Sequence, residues 1–275
     1  MTIEGDKMYN AENKTLKLPS GAKMYCAKFG KGDKILVMIP GLNIVDMNGT
    51  ANNLAYFYRR FAKEFTVYIF DRRWGRDKGA TIQSMADDTA AAMQSLGISG
   101  AYVLGVSQGG MIAQFLAADS PELVKKLVLG VTAARTNPIM LDALDEWVVM
   151  AENGDLKGVL TKSYDRMYTE AQMKKYKRLI PLMMRFTKFI STERFADHAR
   201  AIYSMNSIDR LSRIKCPTLV LGAEHDRITT SDGAKELAEK LGCECFIFPN
   251  EGHAAYLCNG FNKMVYDFFT KDSGI

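Results

Sequence analysis

Residues 105–109 read Gly-Val-Ser-Gln-Gly, which sets Ser107 between a glycine two residues before it and another two residues after. The apolar run Ala101–Val106 leads into it and an amphipathic helical pattern follows directly. Glycines at those two places relieve the crowding of a sharp strand-to-helix turn, which holds the serine in a strained conformation with its hydroxyl projecting outward. The helix N-terminus behind the serine favours developing negative charge. A serine hydroxyl becomes a useful nucleophile only beside a base, and the chain has three histidines. His198 lies in a helical region and reads as a surface or pocket-lining residue, while His225 directly precedes a carboxylate and reads as a loop residue. His253 sits in Pro249-Asn-Glu-Gly-His253, between the last strand-like run and the last helical one. A loop there can carry an imidazole to the carboxyl edge of a parallel sheet, where α/β sites form.

The acid that orients the imidazole is expected to leave the end of a strand as well. The stretch Leu219-Val-Leu-Gly-Ala-Glu224-His225-Asp226 offers Asp226, with Glu224 as its competitor. Asp232, after Thr230 and Ser231, reads as part of a helix start. Residues 132–138, which follow the preceding strand, hold no carboxylate. The chain order is therefore Ser107, Asp226, His253, the residues of an acyl-transfer triad.

These residues need a scaffold, and the periodicity supplies one. Short β-rich runs at 15–18, 23–29, 35–39, 67–71, 101–106, 127–131, 218–222 and 245–249 alternate with helical patterns near 52–63, 82–96, 108–118, 232–241 and 260–270. The first two runs read as a hairpin. The alternation thereafter predicts βαβ units and a mostly parallel sheet flanked by helices, an α/β fold. The alternation stops between residues 133 and 206, which read as a helical insertion punctuated by Gly154, Gly158 and Pro181. The domain reading is thus a core of residues 1–132 and 207–275 with a helical cap or lid over 133–206.

Strand, elbow and helix around Ser107, then a helical insertion, then Gly222-Ala-Glu-His-Asp226 and Glu251-Gly-His253, resemble the α/β-hydrolase superfamily over essentially the whole chain. The resemblance implies an eight-stranded, mostly parallel sheet with a lid inserted after strand six. It points to the backbone N–H groups of Leu42, in Ile39-Pro-Gly-Leu42-Asn43, and of Gln108 as the oxyanion hole. Asp71-Arg72-Arg73-Trp74-Gly75 resembles the family's Asp-x-Arg-Gly turn with Trp74 disturbing the spacing. Asp71 and Arg73 are expected to act as paired charges bracing that loop. Asn43, Trp74, Met140 and Tyr256 are expected near the substrate. The insertion's methionines, Met140, Met150, Met167, Met173, Met183, Met184 and Met205, read as core, with any that reach the site giving an adaptable apolar wall.

The 275 residues carry 36 Lys and Arg against 31 Asp and Glu, a formal charge of +5 without a long block of like sign, and this does not point to nucleic acid. Forty-seven percent hydrophobic residues exclude a disordered chain. The longest apolar stretch, Ile35–Leu42, is too short to span a membrane. The opening Met-Thr-Ile-Glu-Gly-Asp-Lys lacks the basic and apolar regions of a signal peptide, so the expected location is cytoplasmic. Five scattered cysteines fit neither a disulfide framework nor a metal pair, and Cys243 and Cys245 are expected to pack in the core from one strand face. Residues 37–43 lack the Gly-x-Gly-x-x-Gly of a dinucleotide fold and no P-loop occurs, so no metal or cofactor is expected. The expected activity is a serine hydrolase acting on a small or medium apolar ester or lactone. C–C bond hydrolysis, aminopeptidase or perhydrolase chemistry and a non-catalytic ligand sensor remain alternatives on the same scaffold.

Overall fold

The computed structural model describes residues 8–75, 78–176, 180–185 and 187–271. The N-terminal residues 1–7, read above for a signal, and the side chain of Met183 lie outside that description. Eight strands form one sheet: β1 (Glu12–Lys17), β2 (Lys23–Phe29), β3 (Lys34–Ile39), β4 (Phe65–Arg73), β5 (Ala101–Val106), β6 (Val124–Gly130), β7 (Thr218–Ala223) and β8 (Glu244–Phe248). Their order is β1-β2-β4-β3-β5-β6-β7-β8. The pairs β1–β2 and β2–β4 are antiparallel and every other pair is parallel. This is the mostly parallel α/β sheet that the alternation predicts.

Burial on both faces explains the near-continuous apolar strands. Val37 and Ile39 of β3 face one core cluster and Leu36 and Met38 the other, as the two-residue period of a strand requires. The first cluster takes in α2 (Ile82–Ser95), α3 (Gln108–Asp119) and α9 (Ser231–Leu241); the second takes in α1 (Ala51–Phe57) and α10 (Asn259–Thr270). Helix α1 ends six residues before the expected 63. The chain there closes through turn bonds such as Phe61 N–H to Tyr58 C=O, so that Phe65 can enter β4 in register with Lys34.

Between β6 and β7 the described residues are helical: α4 (Pro138–Glu152), α5 (Leu156–Met167), α6 (Glu170–Tyr176), α7 (Ile180–Arg185) and α8 (Thr192–Arg200). Gly154, at φ +83°, separates α4 from α5. Gly158 does not punctuate the segment. It lies inside α5, where its N–H donates to the capping Asp155 Oδ1 at 2.7 Å and a Cβ would meet that carboxylate. Cys245 corrects the expected core placement too, because β8 is an edge strand and leaves this thiol exposed. Among the described residues no helix is long and apolar enough to cross a membrane.

Candidate active site

Ser107 stands between β5 and α3 at φ 54°, ψ −123°, the strained turn that the glycine spacing predicts. The surrounding glycines are required by contact. A Cβ on Gly105 would lie 2.5 Å from Gly109 O, and one on Gly109 would collide with the Ile39 carbonyl oxygen. A Cβ on Gly110 would lie 2.6 Å from Thr132 Cγ2. Ser107 N–H donates to Gly130 O at 2.9 Å and Thr132 Oγ1 donates to Ser107 O at 2.8 Å, which ties the turn to β6.

His253 begins a short 3₁₀ turn after β8, and the fold brings it to Ser107 across 146 residues of chain. Its Nε2 lies 2.9 Å from Ser107 Oγ and its Nδ1 lies 2.9 Å from Asp226 Oδ2. Asp226 leaves the carboxyl end of β7 and is nearly fully buried. Its Oδ1 accepts from the N–H groups of Ile228 at 2.8 Å and Thr229 at 3.0 Å, and its Oδ2 also accepts from Thr229 Oγ1 at 2.7 Å. Burial pushes this carboxyl up, but the charge and hydrogen bond of His253 and the Thr229 and Ile228 donors outweigh it and leave the pKa below the ordinary aspartate value. Glu224 is exposed and accepts from Asn250 N–H at 3.3 Å instead. Asp232 sits in the first turn of α9, which Thr230 caps. His225 is exposed beside Glu224.

A cavity of about 200 Å³ opens beside Ser107 and His253. Gly41, Leu42, Asn43 and Tyr256 line it from the sheet side, and Met140, Leu144, Trp147, Leu160, Tyr164, Met167 and Phe195 line it from the helices. The wall is mostly apolar. The Asn43 Nδ2 and Trp147 Nε1 atoms are buried and have no hydrogen-bond partner among the described residues. Of the insertion's methionines, Met140 and Met167 line the cavity and Met205 is core. Gln108 is the first residue of α3, so its N–H has no acceptor within the helix. Leu42 follows Gly41, whose would-be Cβ lies 3.6 Å from Ser107 Oγ.

Three expectations need correction. Trp74 is exposed and does not line the cavity, because β4 continues through Arg73 in pairing with Met24 and carries Trp74 to the β2 side, where its N–H donates to Lys23 O at 2.6 Å. Asp71 and Arg73 do not pair with each other: the register of β4 against β2 shifts between Phe70, opposite Cys26, and Arg73, opposite Met24, and this irregularity breaks the two-residue alternation that would have set them on one face. Asp71 accepts from Arg194 of α8 at 3.1 Å, and Arg73 makes a bidentate pair with Asp88 of α2 at 2.5 and 2.8 Å. His198 is neither on the surface nor in the cavity wall. It is buried in α8, its carbonyl accepts from Gln108 Nε2 at 2.7 Å, and burial together with Arg72 and Arg194 pushes its pKa down to about 3.

The profile of the alpha/beta hydrolase family matches residues 36–259. The chain belongs to the alpha/beta hydrolase family. Among curated hydrolase-fold relatives it is 28% identical over 187 residues to the Mycobacterium tuberculosis protein BpoC, named as a non-heme bromoperoxidase, covering 65% of this chain and 71% of that one. It is 22% identical over 224 residues to 3-oxoadipate enol-lactonase 2 of Acinetobacter baylyi, covering 78% and 80%. The crystal structure of the enol-lactonase from Burkholderia xenovorans shares the fold with a TM-score of 0.81 at 20% identity, over 94% of this chain and all of that one.

Two residues at or behind this candidate site were not read from the sequence. Trp147 was legible as the third member of the Met140, Leu144, Trp147 stripe at helical spacing on α4. Arg72 left no such signal, since a charged residue in an Asp-Arg-Arg run reads as solvated, yet it is 4% exposed. Among the described residues no group of three His, Cys, Asp or Glu side chains is placed to hold a metal ion.

Proposed function

We propose that the protein hydrolyses a small or medium carboxylic ester or lactone through an acyl-enzyme. Ser107 Oγ attacks the carbonyl, His253 takes the hydroxyl proton and returns it to the leaving oxygen, and Asp226 fixes the imidazole tautomer. The Leu42 and Gln108 N–H groups hold the oxyanion. The helices of 133–206 serve as a lid whose apolar face selects the acyl or alkyl group, and Asn43 and Trp147 offer donors to an acceptor oxygen on the substrate. No cofactor takes part, and the expected setting is the cytoplasm. The reading rests on the paired 2.9 Å contacts of His253 to Ser107 and Asp226 at the mouth of a mostly apolar cavity.

A fluorophosphonate probe is expected to label the wild type and to leave Ser107→Ala unlabelled, with p-nitrophenyl ester turnover lost in the same variant. Equal labelling of both proteins would remove Ser107 from the reaction. A second reading is favoured by the similarity to the bromoperoxidase-named relative: hydrogen peroxide in place of water would release the acyl group as a peracid. Peracid formation from acetate esters and peroxide, compared with hydrolysis alone, separates the two.

A further inference from the structure

Behind the catalytic residues lies a buried arginine that the triad does not use. Arg72, near the end of β4, extends under the turn that follows β3. Its Nη2 lies 2.6 Å from Pro40 O, 3.3 Å from Gly41 O and 3.1 Å from Gln108 Oε1. All three acceptors are neutral. The neighbouring carboxylate, Asp71, receives Arg194 Nη2 instead, and Arg194 also donates to Arg72 O at 3.0 Å. Burial pulls the guanidinium pKa down to about 10, against the opposing charge of Asp71, so Arg72 stays cationic at neutral pH.

The position of those acceptors matters. No cis peptide occurs among the described residues, and in a trans peptide the C=O and the following N–H point in opposite directions. Drawing the Pro40 and Gly41 carbonyls toward Arg72 therefore turns the Gly41 and Leu42 N–H groups away from it, on the side where Gly41 meets Ser107. The same nitrogen holds the side chain of Gln108, whose backbone N–H is the other donor. Gln108 Nε2 is in turn anchored on the His198 carbonyl, so its amide orientation is defined from both ends.

We propose that Arg72 is a positioning residue for the oxyanion hole, its single buried guanidinium bracing the turn that presents the Leu42 N–H and the residue that presents the Gln108 N–H. The inference rests on the acyl-enzyme reading above. A cation on the carbonyl side of the Gly41–Leu42 peptide also polarises that amide and strengthens its N–H as a donor. Its effect is greatest when charge develops on the substrate oxygen, so it acts on the transition state more than on substrate binding.

The test compares wild type, Arg72→Met and Arg72→Lys, each normalised by fluorophosphonate titration of Ser107. Removing one oxyanion donor costs roughly 10²–10³ in kcat. Arg72→Met is expected to lose about 10²-fold in kcat with KM within about threefold, and to bind a boronic acid transition-state analogue more weakly in the same ratio. The acid limb of the pH–rate profile should stay in place, because Arg72 does not touch His253 or Asp226. Arg72→Lys, a point charge without the guanidinium fork, is expected to lose about tenfold with the same signature. If the Met variant does not fold, the Lys variant decides by the same measurements. Per-site kcat within threefold of wild type in the folded variant overturns the proposal, as does a kcat loss with unchanged boronate affinity. Failure of the wild type to react with the fluorophosphonate overturns the acyl-enzyme reading itself, a result separable from both.

Discussion

Ser107, His253 and Asp226 differ in what holds each of them. Ser107 depends on backbone strain at φ 54°, whereas Asp226 depends on four hydrogen bonds that keep it ionised while nearly fully buried. Replacing Asp226 by Asn keeps the shape but reverses what the group offers the imidazole, so kcat should fall by about 10⁴ with the fold intact. Glu224→Gln, at an exposed residue bonded to Asn250, should change kcat less than tenfold. Steady-state rates on one ester decide, and a larger loss at Glu224 would reassign the acid. His198 adds a pH dependence of a different kind. Its folded pKa of about 3 lies far below the 6.5 of a free imidazole, so below pH 6.5 the unfolded chain binds a proton that the folded one does not. Stability then rises with pH across the window from about 3 to 6.5. The melting temperature of the wild type should drop between pH 6.5 and 4.5 by more than that of His198→Gln; parallel curves would show that His198 is protonated in the folded protein.

At the scale of elements, α4 links sequence pattern to selectivity. Asn137 caps it by accepting from Met140 N–H at 2.9 Å, and Pro138 occupies its first position, where no N–H is needed. The cap sets the helix phase, and the phase puts Met140, Leu144 and Trp147 against the cavity. Shortening this wall should shift preference toward longer acyl groups without altering the chemistry at Ser107. A methylene in an apolar pocket is worth about 1–3 kcal/mol, so Leu144→Ala should change the ratio of kcat/KM between C8 and C4 esters by roughly tenfold to two-hundredfold. An identical chain-length profile in the Leu144→Ala and Trp147→Ala variants would place the acyl site elsewhere.

At the scale of the whole molecule, the helices between β6 and β7 are fastened to the sheet by buried polar contacts as well as by apolar packing. Arg194 reaches from α8 to Asp71 and to the Arg72 carbonyl on β4, and the pair is almost wholly buried. Arg194→Met would strand Asp71 without its cation and should destabilise the protein by about 3–5 kcal/mol. The exposed Arg200–Glu152 pair links two helices of the same segment, and its removal should cost under about 1 kcal/mol. Urea midpoints of the two variants provide the comparison, and equal shifts would mean that the Arg194 contact is not a buried ion pair in solution.

What the chain determined by itself was local. Glycines at 105 and 109 demand a tight turn whatever surrounds them, the two-residue and helical apolar periods announce strands and helices, and a histidine or aspartate just after a strand must emerge at that strand's carboxyl end. From these followed the α/β class, the position of Ser107, and the short list that held His253 and Asp226. Tertiary structure decided what depends on residues distant in sequence. The ends of β4 lie two residues beyond the apolar run at each side, because pairing with β2 and β3 supplies hydrogen bonds that side-chain type does not encode. That extension removed Trp74 from the cavity, and the fold gave Asp71 and Arg73 separate partners, Arg194 from 123 residues away and Asp88 from the next helix, 15 residues on. Arg72 is the clearest case. A charged side chain is tolerated in an interior only where acceptors converge on it, and Pro40, Gly41 and Gln108 converge there only once β3, β4 and β5 lie side by side.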